Sequence, residues 1–275
     1  MSWFRGHFDL PATPDGTQMP QSAQLVVTVA MAVLVVGFIG YAMRELVRTR
    51  SATLALLLAG GAVSYFNEPI DDVLGLVWHP VAGQWTALDT FARVPLWGLG
   101  IYVVFFGGMP YVILQALRRG LTRRRLWAWV GVLVVVDVAV ELPVLASGIY
   151  SYYGHAPMLI GGFPVYWIVI NAVGPLALAV LLLAAGDTFT GWRTLYLTFL
   201  PMMFDAAGSI AVGWPIFSAL NAQASAPVRW LAAALTIAIG LAVLDLLIAY
   251  AARMSAARAS GRLAASNLPR PGLVT

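Results

Sequence analysis

Acidic residues inside apolar runs are the residues best suited to chemistry in this chain. Asp137 and Glu141 are four residues apart, so a helix there places both carboxyl groups on one face. Asp205 lies in a later apolar run, and Glu68 and Asp72 directly follow an earlier one. A charged side chain costs at least about 2.5 kcal/mol at the centre of a spanning helix. Acids that persist at this depth therefore need a partner, a cavity or a function.

Carboxyl groups that share an apolar cavity support acid/base catalysis on an oily substrate, since one donates a proton while another accepts one. The chain has no Cys, and all of its 16 basic residues are Arg. These absences exclude thiolate nucleophiles, Cys-ligated zinc and Schiff bases, including a covalently bound retinal. The structural alternative is that the acids hydrogen-bond neighbouring helices.

Aromatic residues crowd the segments on the same side of the membrane as Glu68. They either form the aromatic belt that is common at membrane interfaces or wall a cavity, where ring faces would stabilise a cation. His79 and His155 are interpreted as interfacial residues. One amide and a set of aromatic side chains are predicted to contact substrate: Asn171, Tyr65, Trp78, Tyr150, Tyr153, Tyr166, Trp167 and Trp214.

These residues require a scaffold that spans a membrane. The 275 residues are 60% hydrophobic and 10% charged, with a mean hydropathy of +0.83, whereas soluble domains carry about 25% charge. The composition predicts an all-α integral membrane protein in the cell membrane. Seven apolar runs approach the roughly 20 residues that cross a bilayer as helix: 25–43, 51–66, 95–117, 126–145, 163–185, 194–214 and 230–250.

The second run is short, which predicts a broken or re-entrant helix that continues past Pro69. Backbone groups freed by such a break must face protein or water, because lipid offers no hydrogen bonds. An internal cavity is therefore expected.

Arg residues are distributed unevenly between the loops. Thirteen of the 16 fall on one side of the predicted spans. The positive-inside rule makes that side cytoplasmic, with the N-terminus outside and the C-terminus inside, and it accounts for the basic charge without nucleic acid. Three regions follow: an extracytoplasmic segment (1–20), a seven-helix membrane domain (21–252) and a disordered cytoplasmic tail (253–275).

Four segments carry a family resemblance: 67–80 (NEPIDDVLGLVWHP), 141–154 (ELPVLASGIYSYYG), 162–171 (GFPVYWIVIN) and 205–221 with its GWP. Together they resemble the AveC-type spirocyclase family of actinobacterial membrane proteins, named for an enzyme that forms a spiroketal. The resemblance covers about residues 25 to 250. It implies ring closure of a lipophilic polyketide-like substrate without a cofactor or metal, and it implies biosynthetic enzymes as partners.

The layout is also similar to the small membrane terpene cyclases of fungal meroterpenoid pathways, which use a Glu from an early span and an Asp from a later one. By position, Glu68 and Asp205 would fill those roles, with Glu141 as a third candidate. In the spiroketal version, Glu68 or Asp205 is the proton donor, and Glu141 or Asp137 is the acceptor. Asp72 completes the set of candidate catalytic acids.

Two alternatives come from other classes. Glu68/Asp72 and Asp137/Glu141 fit the acid-x-x-x-acid pattern with which intramembrane prenyltransferases hold magnesium, but most Arg residues that would bind a diphosphate lie on the opposite face from Glu68. Intramembrane acids also form the proton relays of coupled transporters. The odd number of spans and the absence of a visible inverted repeat argue against a transporter.

Overall fold

The fold is given by a computed structural model that describes residues 11–90 and 92–259. Nine α-helices occur in those residues: α1 (Gln21–Thr49), α2 (Thr53–Ser64), α3 (Glu68–Gly75), α4 (Leu96–Tyr102), α5 (Met109–Arg118), α6 (Arg123–Ala146), α7 (Trp167–Ala185), α8 (Leu200–Asn221) and α9 (Ala226–Ala259). The all-α class predicted from the sequence is confirmed.

Short strands pair between the helices. β1 (Val77–Trp78) pairs with β4 (Ser151–Tyr152), β2 (Thr86–Asp89) with β3 (Arg93–Pro95), and β5 (Leu159–Ile160) with β6 (Phe163–Pro164), all antiparallel. The β1–β4 pair joins the segment after α3 to the segment after α6. It thereby ties together two loops that are about 70 residues apart in the sequence.

Six helical segments of the described chain are long and apolar enough to cross a membrane. They are α1, α6, α8, the run Leu96–Arg118 that joins α4 to α5 through a π-helical turn, the run Trp167–Thr188 that contains α7, and Ala226–Ala257 in α9. The second predicted run differs, because α2 has only 12 residues. A 3-10 turn, Tyr65–Asn67, links it to α3, so the helix does continue past Pro69 after a break.

Three predicted boundaries are wrong. The run 194–214 is displaced, because residues Gly191–Thr198 form a 3-10 helix and α8 begins at Leu200, with Pro201 in the first turn where its missing N–H costs nothing. For the run 163–185, the helix α7 begins only at Trp167, because Phe163 and Pro164 belong to β6. The predicted disordered tail begins too early, since α9 continues to Ala259; residues 260–275 lie outside the described ones.

Close glycine contacts hold the centre of the bundle together. α7 packs against α5, α8 and α9. A Cβ on Gly208 of α8 would lie 2.9 Å from the backbone nitrogen of Gly174 on α7. A Cβ on Gly174 would lie 3.0 Å from the carbonyl oxygen of Phe204. The backbones of α7 and α8 therefore touch beside Asp205, which fixes the depth of that acid against α7.

By contrast, α1 and α6 lie at the edge of the bundle. In the most apolar window of α1 only 6% of residues are buried, and in that of α6 none are. Their exposed side chains are apolar, as at Val33 and Val36 of α1 and Val132 and Val135 of α6. Exposed apolar surface of this kind is suited to lipid contact.

Candidate active site

One cavity of about 370 Å³ lies among the helices, a size typical of small-molecule pockets. Its walls are mostly apolar and aromatic, and α1, α3, α4, α6, α7 and α8 all contribute to them. Every candidate acid of the sequence analysis lines this one space, namely Glu68, Asp72, Asp137, Glu141 and Asp205, and Asp71 lines it as well.

Asp205 is held by donors from the broken helix. Ser64 Oγ donates to Asp205 Oδ2 at 2.8 Å, and Asn67 Nδ2 donates to the same oxygen at 2.7 Å. Asn67 Nδ2 also donates to the carbonyl of Met202, which ties the break to the first turn of α8. With Oδ2 occupied as an acceptor, Oδ1 is the oxygen available to carry a proton or meet a ligand.

A second group consists of Glu68 and Asp72 from α3 and of His79, which directly follows β1. His79 Nε2 lies 3.4 Å from Asp72 Oδ1 and 3.7 Å from Glu68 Oε1. Burial disfavours the charged imidazole, but the carboxylates of Asp72 and Glu68 outweigh it and raise the pKa of His79 to about 10. The ring centroids of Trp97 and Tyr150 lie 5.6 and 5.8 Å, respectively, from the centroid of the imidazole ring.

Two more hydrogen bonds orient acids of the cavity. Tyr102 of α4 donates its hydroxyl to Glu68 Oε2 at 2.7 Å. Ser209 of α8 donates to Asp71 Oδ1 at 3.0 Å. Glu68 and Asp71 of α3 thus each accept a hydrogen bond from another helix, so the short helix is positioned from two sides.

Asp137 and Glu141 face the cavity together from α6, as their spacing predicts. Asn171 on α7 lines the same cavity as Asp137. Glu141 Oε2 is buried and has no hydrogen-bond partner among the described residues. A free carboxyl oxygen in a cavity is available to a hydroxyl group of a bound ligand, because a buried polar atom without a partner is costly.

The predicted substrate contacts divide into two sets. Asn171, Tyr150 and Trp167 line the cavity. Five others do not line it, namely Tyr65, Trp78, Tyr153, Tyr166 and Trp214.

These five side chains lie outside the cavity for different physical reasons, and their contact with substrate stays a prediction. Trp214 follows Asp205 by nine residues on α8, about two and a half turns, so it points to the opposite face and is exposed. Tyr65 donates its hydroxyl to the carbonyl of Pro95, and Trp78 donates to Thr17 Oγ1. Tyr153 is half-buried, and Tyr166 is fully buried away from the space.

Sequence reasoning missed several cavity residues. His79 is the most important, since it was interpreted as interfacial although it lies in the same 67–80 segment as Glu68 and Asp72. Trp97, Tyr102 and Ser209 were not considered either. The signal for His79 was its position 11 residues after Glu68 in a segment rich in Pro and Gly, which folds back on itself.

Comparison with known proteins adds no identification. No family model, curated protein or solved structure matches the chain.

Proposed function

We propose that the protein is a membrane-embedded cyclase that closes a ring of a lipophilic polyketide- or terpenoid-like substrate by acid/base catalysis, with spiroketal formation favoured. The observation that carries the proposal is one apolar cavity that is lined by six acids from three helices, α3, α6 and α8. An oily cavity suits an oily ligand, and several acids allow one group to donate a proton and another to accept it.

In this proposal Asp205 is the proton donor and Glu141 the acceptor. Glu68 is the weaker donor candidate, because its two carboxylate oxygens already face Tyr102 and His79. Asp205 Oδ1 is unoccupied by any hydrogen bond among the described residues, while Ser64 and Asn67 hold Oδ2. Asp137 and Asn171 line the same cavity as Glu141 and orient substrate oxygens.

The substrate in the spiroketal version is a dihydroxy ketone that has already closed its first ring as a hemiketal. Asp205 protonates the hemiketal hydroxyl. The C–O bond then breaks, water departs, and an oxocarbenium ion remains. The second hydroxyl adds to the cationic carbon, and Glu141 removes its proton. Return of that proton to Asp205 restores both acids for the next turnover. Ring faces such as Trp167 and Tyr150 stabilise the cation. The cavity also holds the hydroxyl and the carbon close together, which lowers the barrier by several kcal/mol.

In the terpenoid version, the same donor protonates an epoxide or alkene, and no water is lost. The helix from α2 to α3 serves as the seventh, broken span, with the N-terminus outside and the C-terminus in the cytoplasm of a multi-pass cell-membrane protein. The Arg distribution supports this orientation.

The test compares lipid extracts of producing cells with and without the gene by liquid chromatography and mass spectrometry. We expect a metabolite that is lighter by one water, or an isomer with a different retention time, only when the gene is present. Asp205→Asn should abolish the product. Asp245→Asn is the matched control, because Asp245 pairs with Arg123 and does not line the cavity.

Identical metabolites with and without the gene would refute the cyclase. The same compound redistributed between cells and medium would instead identify a transporter. Normal product formation by Asp205→Asn would remove the assigned donor.

A further inference from the structure

Three side chains of different types converge at one end of the cavity. His79 Nε2 lies 3.4 Å from Asp72 Oδ1 and 3.7 Å from Glu68 Oε1. One ligand atom from each of the three residues lies within 4.8 Å of both others. All three residues also line the cavity.

These separations suit a shared metal ion better than hydrogen bonds. Charge-assisted N–H···O bonds measure about 2.7–2.9 Å, and both distances from His79 are clearly longer. Zinc binds His nitrogen and carboxylate oxygen at about 2.0–2.2 Å. Two such bonds at a tetrahedral angle place their ligand atoms roughly 3.4 Å apart. The distances from His79 to the two carboxylates, 3.4 and 3.7 Å, are close to that value.

The burial of His79 is an independent observation. Its side chain is 3% exposed, and neither Nδ1 nor Nε2 has a hydrogen-bond partner among the described residues. Buried imidazole nitrogens are normally satisfied, so one that faces two carboxylates without a hydrogen bond points to a ligand between them. Trp97 and Tyr150 pack beside the ring and direct Nε2 toward the acids.

We propose that Glu68, Asp72 and His79 bind one divalent transition-metal ion, for which Zn²⁺ is the best fit. One imidazole nitrogen with two carboxylates suits Zn²⁺ or Mn²⁺, whereas Mg²⁺ and Ca²⁺ prefer oxygen ligands alone. The Tyr102 hydroxyl orients Glu68 from behind, as groups around metal ligands commonly do. A fourth coordination position would face the cavity, where a ligand oxygen can reach it.

The site does not depend on the cyclase proposal, because the proton donor and acceptor assigned there are Asp205 and Glu141. Metal binding can be measured without any substrate. A negative result would leave the test of Asp205 intact, and failure of the cyclase proposal would leave the metal site intact.

The test uses the full-length protein, purified in detergent through a tag without histidine and treated with a chelator. Titration calorimetry with ZnCl₂, MnCl₂ or MgCl₂ gives stoichiometry and affinity. We expect one equivalent of Zn²⁺ per chain, bound more tightly than Mg²⁺. His79→Gln should weaken Zn²⁺ binding at least about 100-fold, more than a change in an outer partner does.

His155→Gln is the matched control, because His155 is exposed and lies outside the cavity, and it should bind Zn²⁺ like the wild type. Circular dichroism in the absence of metal checks that each variant is folded. If His79→Gln is not folded, Asp72→Asn is used in its place. Wild-type protein that binds no Zn²⁺ would overturn the proposal. Equal binding by wild type and the folded ligand variant would also overturn it, since the ion would then lie elsewhere.

Discussion

Gly208→Ala tests whether the contact between α7 and α8 positions the cavity. The added Cβ would lie 2.9 Å from the backbone nitrogen of Gly174 and 3.0 Å from its Cα. Carbon atoms in favourable contact are about 3.5–4.0 Å apart. Both neighbours are backbone atoms and no side chain can rotate away, so the two helices must separate by roughly 0.5–1 Å.

That separation has two measurable effects. Overpacking of this kind costs about 1–3 kcal/mol, which lowers the Tm by roughly 2–4 °C per kcal/mol in a chain of this size. It also moves Asp205, three residues earlier on α8, away from the α7 wall of the cavity. A displacement near 1 Å can reduce turnover about 100-fold.

The control is Gly131→Ala on α6, where the new Cβ meets no atom within 4 Å. This variant should be unchanged or slightly stabilised, because Ala favours helix over Gly by about 0.5–1 kcal/mol. Thermal unfolding in detergent and product yield in cells are measured for both variants. A Tm for Gly208→Ala equal to or above that of Gly131→Ala would refute the close contact.

Two further predictions concern hydrogen bonds of the site. Asp205→Asn should have a free energy of unfolding within about 1 kcal/mol of the wild type, because the amide oxygen can still accept from Ser64 and Asn67. Asp205→Leu leaves these buried donors without that acceptor, so it should lower the free energy of unfolding in denaturant by about 2–4 kcal/mol. Equal stability of the two variants would contradict the role of these bonds. Tyr102→Phe should keep the ring packing but weaken Zn²⁺ binding about 10-fold or more, since Glu68 loses its donor; unchanged affinity in the same titration would show that Tyr102 does not position Glu68.

The features that follow from local periodicity could be predicted from the sequence. A four-residue spacing was enough to place Asp137 and Glu141 on one face of α6. The short second run and Pro69 were enough to indicate the broken helix, because Pro fits the start of a helix and not its interior. Burial of the acids followed from the cost of charge at depth.

The features that depend on long-range pairing could not be predicted. His79 reaches the cavity because β1 pairs with β4 and folds the 67–80 segment back over α3, and no local pattern encodes that pairing. Trp214 was assigned by depth alone, although the helical face decides which side chains meet a cavity. Asp205 reaches the site for a reason not visible in the chain: Pro201 packs against Gly60 midway along α2, so α8 starts deep in the bundle.

The edge position of α1 and α6 affects how a ligand would arrive. Val26, Val27, Ala30 and Met31 of α1 and Val140 and Val144 of α6 form cavity wall, while the far sides of both helices are exposed and apolar. A molecule dissolved in the bilayer meets these two helices by lateral diffusion, without crossing water. Its rate of capture would then depend on its mole fraction in the lipid, so diluting a reconstituted system with inert phospholipid would slow turnover even at constant amounts of protein and substrate.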